Sequence, residues 1–327
     1  MIFEKPPVIL GAAGVAGPKE SEGPLSREFD RVMSDSLMGQ DSFEKAESYL
    51  QERAFDLALR KAGKKKEELD FIFAGDLLNQ CVASSFAMRG ASVPFCGLYG
   101  ACSTMALSLI NAAVYARGVG ALCLAVTSSH FCAAERQYRF PLEYGGVRPQ
   151  SAQWTVTGAG AAVVGEGDGV AEIVAFTMGK ICDLGVADQN NMGAAMAPAA
   201  ADTLKIFLED SQMSLSDFDA VYTGDLGAVG SELFIEILKR DGIDAAPQHR
   251  DCGLLIYDTE RQDVHSGGSG CGCSASVFCS HILNRMKCGE LDNILFIATG
   301  ALLSPTTVTQ GETIPSVAHL LHIRAKK

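Results

Sequence analysis

The chain has 327 residues, a formal net charge of −12, 47% hydrophobic residues, 34 glycines and 11 cysteines. That negative field repels polyanions, which argues against nucleic acid or an anionic membrane surface as the primary partner. No apolar run approaches the roughly 18 residues of a membrane span. Met1–Pro7 has no signal-peptide character, and an odd cysteine count in an unsecreted chain points to reduced thiols.

In chain order, Val8–Leu10 reads as a first strand running into a loop at Gly11–Gly14. Residues 15–40, rich in Gly, Pro, Glu and Ser, read as a surface excursion. Asp41 with Glu44 makes a capping box, after which Ala46, Leu50, Ala54 and Leu57 recur at helical spacing. Lys64–Glu68 is a charged connector. Phe71–Ala74 is a short continuous apolar run, the pattern of a strand buried on both faces. Met105–Ala116 is a nearly uncharged helix, hence central. A polar, aromatic and arginine-containing insertion at 131–154 precedes the strand entry Gly158–Val164.

The second half repeats the plan. It opens at Val170–Phe176, and Asn191 leads into a helix through about Glu209. A strand at 219–223, a turn at Gly224–Gly230 and a helix at Glu232–Arg240 follow, and a second helix spans 276–287. Asp70-Phe-Ile-Phe-Ala-Gly-Asp76-Leu77 recurs as Asp219-Ala-Val-Tyr-Thr-Gly-Asp225-Leu226. A Gly/Ser/Cys turn comes downstream of each, Gly97–Thr104 in the first half and Gly268–Ala275 in the second. An apolar run follows each turn, Ala121–Thr127 and Ile294–Thr299. A period of half the chain means one unit used twice, with halves 1–168 and 169–327. Alternating strands and helices then give an α/β fold of five layers, α-β-α-β-α, with the two cysteine turns facing each other near a pseudo-dyad.

The duplication, the cysteine heading the central helix (Gly100-Ala-Cys102-Ser-Thr), the Gly158–Val164 strand entry and Ala298-Thr-Gly300-Ala-Leu together resemble the thiolase superfamily. The resemblance implies a thiolase-like fold whose members use that cysteine as an acyl acceptor, activated by the helix N-terminus and by histidine or asparagine partners. Those partners are missing from the matching positions. Ser269 stands where thiolases carry the histidine of their Gly-His-Pro turn, and Gly224-Asp225 stands where ketoacyl synthases present theirs. A serine cannot serve as a base at neutral pH, which favours binding over catalysis.

Longer strings carry a narrower resemblance: Gly17-Pro-Lys-Glu20, Ala74–Gln80, Thr127-Ser-Ser-His130, Ala134-Glu-Arg-Gln137, Glu143-Tyr-Gly-Gly146, Met196–Asp202 and Ala301–Pro305. Together they are similar to the stage V sporulation protein AD family. That resemblance implies a protein of a spore inner-membrane uptake complex. It would bind dipicolinic acid (pyridine-2,6-dicarboxylate) or its calcium chelate, and would associate peripherally with membrane-embedded subunits. A homodimer is expected, with no intrinsic metal and no cofactor beyond the ligand. The rivals are a condensing enzyme acting through Cys102 and a ligand-free scaffold.

Several residues are candidates for the site, each with a plainer reading. Cys102 is the floor of a ligand pocket or a small buried thiol. Asp76 and Asp225 end equivalent strands, where a carboxylate either meets ligand or caps the next turn. Asp76, nearer in sequence to Cys102, is the stronger candidate. Ser128, Ser129 and His130 close an apolar strand and either reach the pocket or stabilise the strand end. Arg136, Arg139 and Arg148 lie in the insertion that flanks the active-site mouth in thiolase relatives. Guanidinium is the natural partner of a carboxylate, but these side chains also suit surface or dimer ion pairs. Tyr138, Tyr144 and Trp154 could stack on a pyridine ring or pack the loop down. Ser269 completes the set, and Cys271 and Cys273 lack the further ligands a metal would need.

Overall fold

A computed structural model describes residues 1–138 and 147–326. The first half supplies strands β1 (Val8–Ala16), β2 (Arg31–Val32), β3 (Phe71–Gly75), β4 (Phe95–Gly97), β5 (Cys123–Ser129), β6 (Trp154–Thr155) and β7 (Gly158–Gly165). Its helices are α1 (Phe43–Ala62), α2 (Val82–Met88), α3 (Thr104–Val119) and α4 (Phe131–Tyr138). The second half supplies β8 (Ala171–Met178), β9 (Ala220–Thr223), β10 (His249–Asp251), β11 (Gly268–Ser269), β12 (Asn293–Ala301) and β13 (Ser316–Ala325). Its helices are α5 (Met192–Ser211), α6 (Gly227–Arg240), α7 (Cys252–Leu255), α8 (Cys271–Val277), α9 (Leu283–Lys287) and α10 (Pro305–Thr309), with one π-helical turn, Phe278–Ile282, joining α8 to α9.

The strand order is β4-β3-β5-β7-β1-β8-β13-β12-β9-β10. Each half contributes five strands in the same sequence from the centre outward, and the halves meet along the short antiparallel pairing of Val8 and Ile9 with Glu172 and Ala171. Within each half the outer strands are parallel and the inner ones antiparallel. This is the duplication expected from the repeat.

Helix α3 touches β3, β5 and β7 of one half and β12 and β13 of the other, so it lies between the two half-sheets. Its burial follows from its composition, since Met105, Ala106, Leu109, Ala112 and Ala113 are wholly enclosed. Helix α8 lies beside it against β5 and β7. The outer layers are α1 with α2 on one half and α5 with α6 on the other. The five layers are therefore in place.

Three local expectations are corrected. β1 continues through Gly11–Ala16 instead of ending in a loop, because this stretch is covered on both sides. A Cβ on Gly11 would sit 2.4 Å from Ala62 N, and one on Gly14 would sit 2.5 Å from Ser276 O. The N-cap of α1 is Ser42, whose side chain accepts from Lys45 N at 3.3 Å, while Asp41 forms an exposed ion pair with Lys45. Helix α6 begins at Gly227, within the segment read as a turn, because α5 crosses it closely: a Cβ on Gly193 would lie 2.8 Å from Gly230 N.

Candidate functional site

The loop between β4 and α3 carries Cys102 to the head of the central helix. Ala101, just before it, holds the left-handed backbone (φ 49°), an uncommon conformation for a residue with a side chain. The thiol is buried and faces the carboxyl of Asp225, just past the end of β9 in the other half. Asp225 is fully enclosed; its Oδ2 accepts from Gly270 N at 2.8 Å and its Oδ1 from Thr299 Oγ1 at 2.8 Å.

Burial pushes the Asp225 carboxyl up to about 7, against the pull of its donors. Burial also lifts the Cys102 thiol well above its ordinary range, and the negative Asp225 and neighbouring Cys271 add to this. The helix terminus alone would favour a thiolate. Here the net result is a neutral thiol facing a carboxyl group.

Around Cys102 lies a small cavity of about 40 Å³, opening to solvent. Leu77, Ala101, Ala134, Met192, Ala301 and Leu303 give it apolar walls. Its polar lining is Cys102, Ser269, Thr155, Tyr99, Tyr138 and Glu135. The two tyrosine hydroxyls lie 2.9 Å apart, and that of Tyr138 donates to Leu77 O at 2.5 Å. Glu135 accepts from Thr155 Oγ1 at 3.1 Å. Among the described lining residues there is no histidine, lysine or arginine.

Of the residues singled out from sequence, Cys102, Ser269 and Tyr138 line this cavity. Asp76 does not: its carboxylate accepts from Leu78 N at 2.9 Å and from Ser84 N at 2.8 Å and Oγ at 2.6 Å, capping the start of α2. The expectation that Asp76 rather than Asp225 stands by Cys102 is thereby reversed. Asp225 acts across the halves on Cys102, while Cys271 meets the carboxyl groups of Glu47 foremost, then Asp76 and Asp225.

Ser128 turns toward α1, donating to Glu47 Oε1 at 3.0 Å. Ser129 donates to Val156 O at 2.7 Å and accepts from Gly272 N at 3.1 Å, fastening β5 to the head of α8. His130 lies 2.8 Å through Nε2 from Ser36 O and packs on Phe43. Arg136 pairs with Glu44 on α1. Arg148 pairs with Asp263 at 2.9 Å and covers the Trp154 ring, whose other neighbours are Phe131, stacked at 3.7 Å, and Lys19. Arg139 and Tyr144 lie outside the described residues. Cys271 donates to Ser128 O at 3.0 Å and Cys273 to Gly224 O at 3.6 Å.

Tyr99, Glu135, Thr155 and Met192 were not singled out from the sequence. Glu135 and Thr155 fall in or beside the 131–154 insertion, whose likeness to an active-site mouth was a usable signal. Met192 comes from the second half, and no sequence pattern tied it to Cys102.

Solved structures with this fold are condensing enzymes and thiolases. 3-Oxoacyl-[acyl-carrier-protein] synthase III from Aquifex aeolicus VF5 superposes with a TM-score of 0.58 at 14% identity, covering 97% of this chain and 99% of that one. Acat5 thiolase from Ascaris suum, solved in complex with coenzyme A, gives 0.63 at 11% identity, covering 98% and 100%. At these identities the likeness shows the fold alone. The sequence of stage V sporulation protein AD from Bacillus subtilis (strain 168) is 46% identical over 319 residues, covering 97% of this chain and 94% of that protein. The family model described as stage V sporulation protein AD (SpoVAD) matches residues 1–324, and the chain belongs to that sporulation family, on a thiolase-like fold.

Proposed function

We propose that this protein binds dipicolinic acid, as its calcium chelate, in the cavity beside Cys102, and holds it without covalent chemistry. The observation that carries the non-catalytic part is the burial of the Cys102 thiol against the Asp225 carboxyl, which raises it well above its ordinary range. A nucleophilic thiol needs a base that takes its proton and leaves a stabilised thiolate. Here the facing group is a carboxyl whose charge opposes the thiolate, and Ser269 occupies the matching histidine position. Cys102, Ser269, Tyr99 and Tyr138 are proposed as ligand contacts.

The chelate is favoured over the free dianion by charge. The described lining residues hold no cation, and the chain carries a net charge of −12. Calcium neutralises both carboxylates of the ligand, so the apolar walls and the paired tyrosines face a neutral aromatic ring. The calcium is part of the cargo, and oxygen donors are what such a hard cation accepts.

We also propose a peripheral role in a spore-membrane uptake complex, with membrane-embedded subunits as partners and a homodimer as the working unit. No helix among the described residues is long and apolar enough to cross a membrane. The edge strand β4 supports the dimer: Phe95, Cys96 and Gly97 are all exposed, beside exposed Tyr99 and Tyr115. An unpaired edge of this kind invites pairing with a second copy.

Calorimetric titration with dipicolinate, with and without calcium, tests the reading. Calcium-dependent, saturable binding supports it, and equal affinity in EDTA rejects the chelate. Incubation with short acyl-CoA thioesters followed by intact-mass analysis tests the catalytic alternative; an adduct abolished by Cys102→Ala would overturn the non-covalent reading.

A further inference from the structure

Glu47 and Gln51 lie one turn apart on the buried face of α1, and neither is exposed to solvent. Both bond the same hydroxyl: Ser128 Oγ donates to Glu47 Oε1 at 3.0 Å and accepts from Gln51 Nε2 at 3.0 Å. Gln51 Nε2 also donates to Ser84 Oγ at 3.0 Å, and that hydroxyl donates to Asp76 Oδ2 at 2.6 Å. The network thus joins α1, β5, α2 and the turn after β3.

Two of its atoms have no partner. Glu47 Oε2 and Gln51 Oε1 are buried acceptors without a donor. Native interiors rarely leave such groups unpaired, since each forfeits its hydration. If Glu47 is ionised, both acceptors stay orphaned one helical turn apart on α1. A hydrogen on Glu47 Oε2 shared with Gln51 Oε1 would satisfy both.

The surroundings agree. The charges acting on Glu47 are those of Asp76 and Glu44, both negative. Cys271, on the neighbouring α8, is a neutral thiol donating to Ser128 O. The segments of β1, β7 and α2 packed on α1 contain no Asp, Glu, His, Lys or Arg. From α4, Arg136 is engaged by Glu44, Glu135 is bonded to Thr155, and Cys132 is half-buried.

We propose that Glu47 is held as a protonated carboxylic acid whose hydroxyl donates to Gln51 Oε1, making a proton-dependent latch between α1 and the first half-sheet. Burial foremost, then the Asp76 carboxylate, raises its pKa well above the usual carboxylate range. Asp76 is followed directly by Leu77, which lines the cavity and accepts the Tyr138 hydroxyl. The latch therefore steadies one wall of the cavity, and deprotonation loosens it. None of this rests on the identity of the ligand.

Glu47→Gln mimics the protonated acid, with an amide N–H in place of the O–H. In infrared difference spectra at neutral pH, wild type minus Glu47→Gln shows the carbonyl stretch of a protonated carboxyl group. Thermal melts of the same proteins give the second readout. Wild type loses stability as pH rises above the ordinary carboxylate range. Glu47→Gln loses less over that range and melts at or above wild type in alkaline buffer, while Glu47→Ala melts lower at every pH. The latch is overturned if the protonated-carboxyl band is absent, or if Glu47→Gln is destabilised like Glu47→Ala. A wild-type melting temperature that depends on the choice of sodium or potassium at constant ionic strength would assign the orphan acceptors to a bound cation and likewise reject it.

Discussion

The Cys102 thiol, at the head of the central helix, is buried against the carboxyl of Asp225, which follows a strand of the opposite half. Asp225 is a buried acid, and the helix terminus that would otherwise favour a thiolate is offset.

Thiol reactivity follows from this pairing. Alkylation by iodoacetamide near pH 7.5, read by peptide mass mapping, labels the exposed Cys288 first. Cys102 reacts more slowly, since burial both shields the thiol and withholds the thiolate. Rapid, selective labelling of Cys102 would contradict the neutral thiol.

Asp225 also makes stability depend on pH. Its folded pKa of about 7 lies above the ordinary 3.8, so the folded state binds the proton more tightly than the unfolded one. The stabilisation is full below about pH 4 and is lost as pH rises through 7. Asp225→Asn removes that slope, a contribution on the order of 4 kcal/mol at most across this range. His249, His319 and His322, pushed down to about 4 by burial, act in the other direction and lose stability as pH falls below 6.5. The difference between variant and wild-type denaturation curves at pH 5 and pH 8 isolates the aspartate, because the histidines are common to both.

The seam between the halves tolerates no extra atoms. A Cβ on Gly300 would lie 2.3 Å from Gly100 O, and one on Gly160 would lie 2.2 Å from Ala275 O. Those carbonyls belong to the heads of α3 and α8 and cannot move independently of them. Gly300→Ala and Gly160→Ala each cost about 1–3 kcal/mol or more by urea denaturation, as overpacking does. Gly63→Ala, which has open space but a left-handed backbone (φ 64°), costs about 1 kcal/mol by strain alone.

Tyr138→Phe removes one hydroxyl with two roles, its bond to Leu77 O and its contact with Tyr99. The expected cost is about 1 kcal/mol of stability. Ligand affinity should fall by roughly fivefold to tenfold if the hydroxyl also meets the bound ring. Unchanged affinity would remove Tyr138 from the proposed contacts.

Continuous apolar runs such as Phe71–Ala74 and the uncharged Met105–Ala116 helix were legible because enclosure on all sides leaves an unmistakable pattern. The length of β1 was not, since Gly11 and Gly14 read as turn residues when taken alone. They are glycines because α1 and α8 press on the strand from opposite faces. The start of α6 was hidden in the same way by its contact with α5 at Gly193. In the site, Cys102 and Ser269 were found through a family pattern. His130, Arg136 and Arg148 were chosen by residue type, yet Ser36, Glu44 and Asp263 occupy them. The crosswise pairing of Asp225 with Cys102 exists only after the halves fold together, and proximity in the chain pointed to the wrong aspartate.

The most direct measurement is calorimetric titration of dipicolinate, with calcium present and absent, into wild type and into Cys102→Ala and Tyr99→Ala. Saturable binding to wild type that requires calcium and weakens in both variants is the predicted result, with the protein's intact mass unchanged afterwards. Absence of binding to wild type, or binding indifferent to both cavity substitutions, would contradict a carrier site beside Cys102.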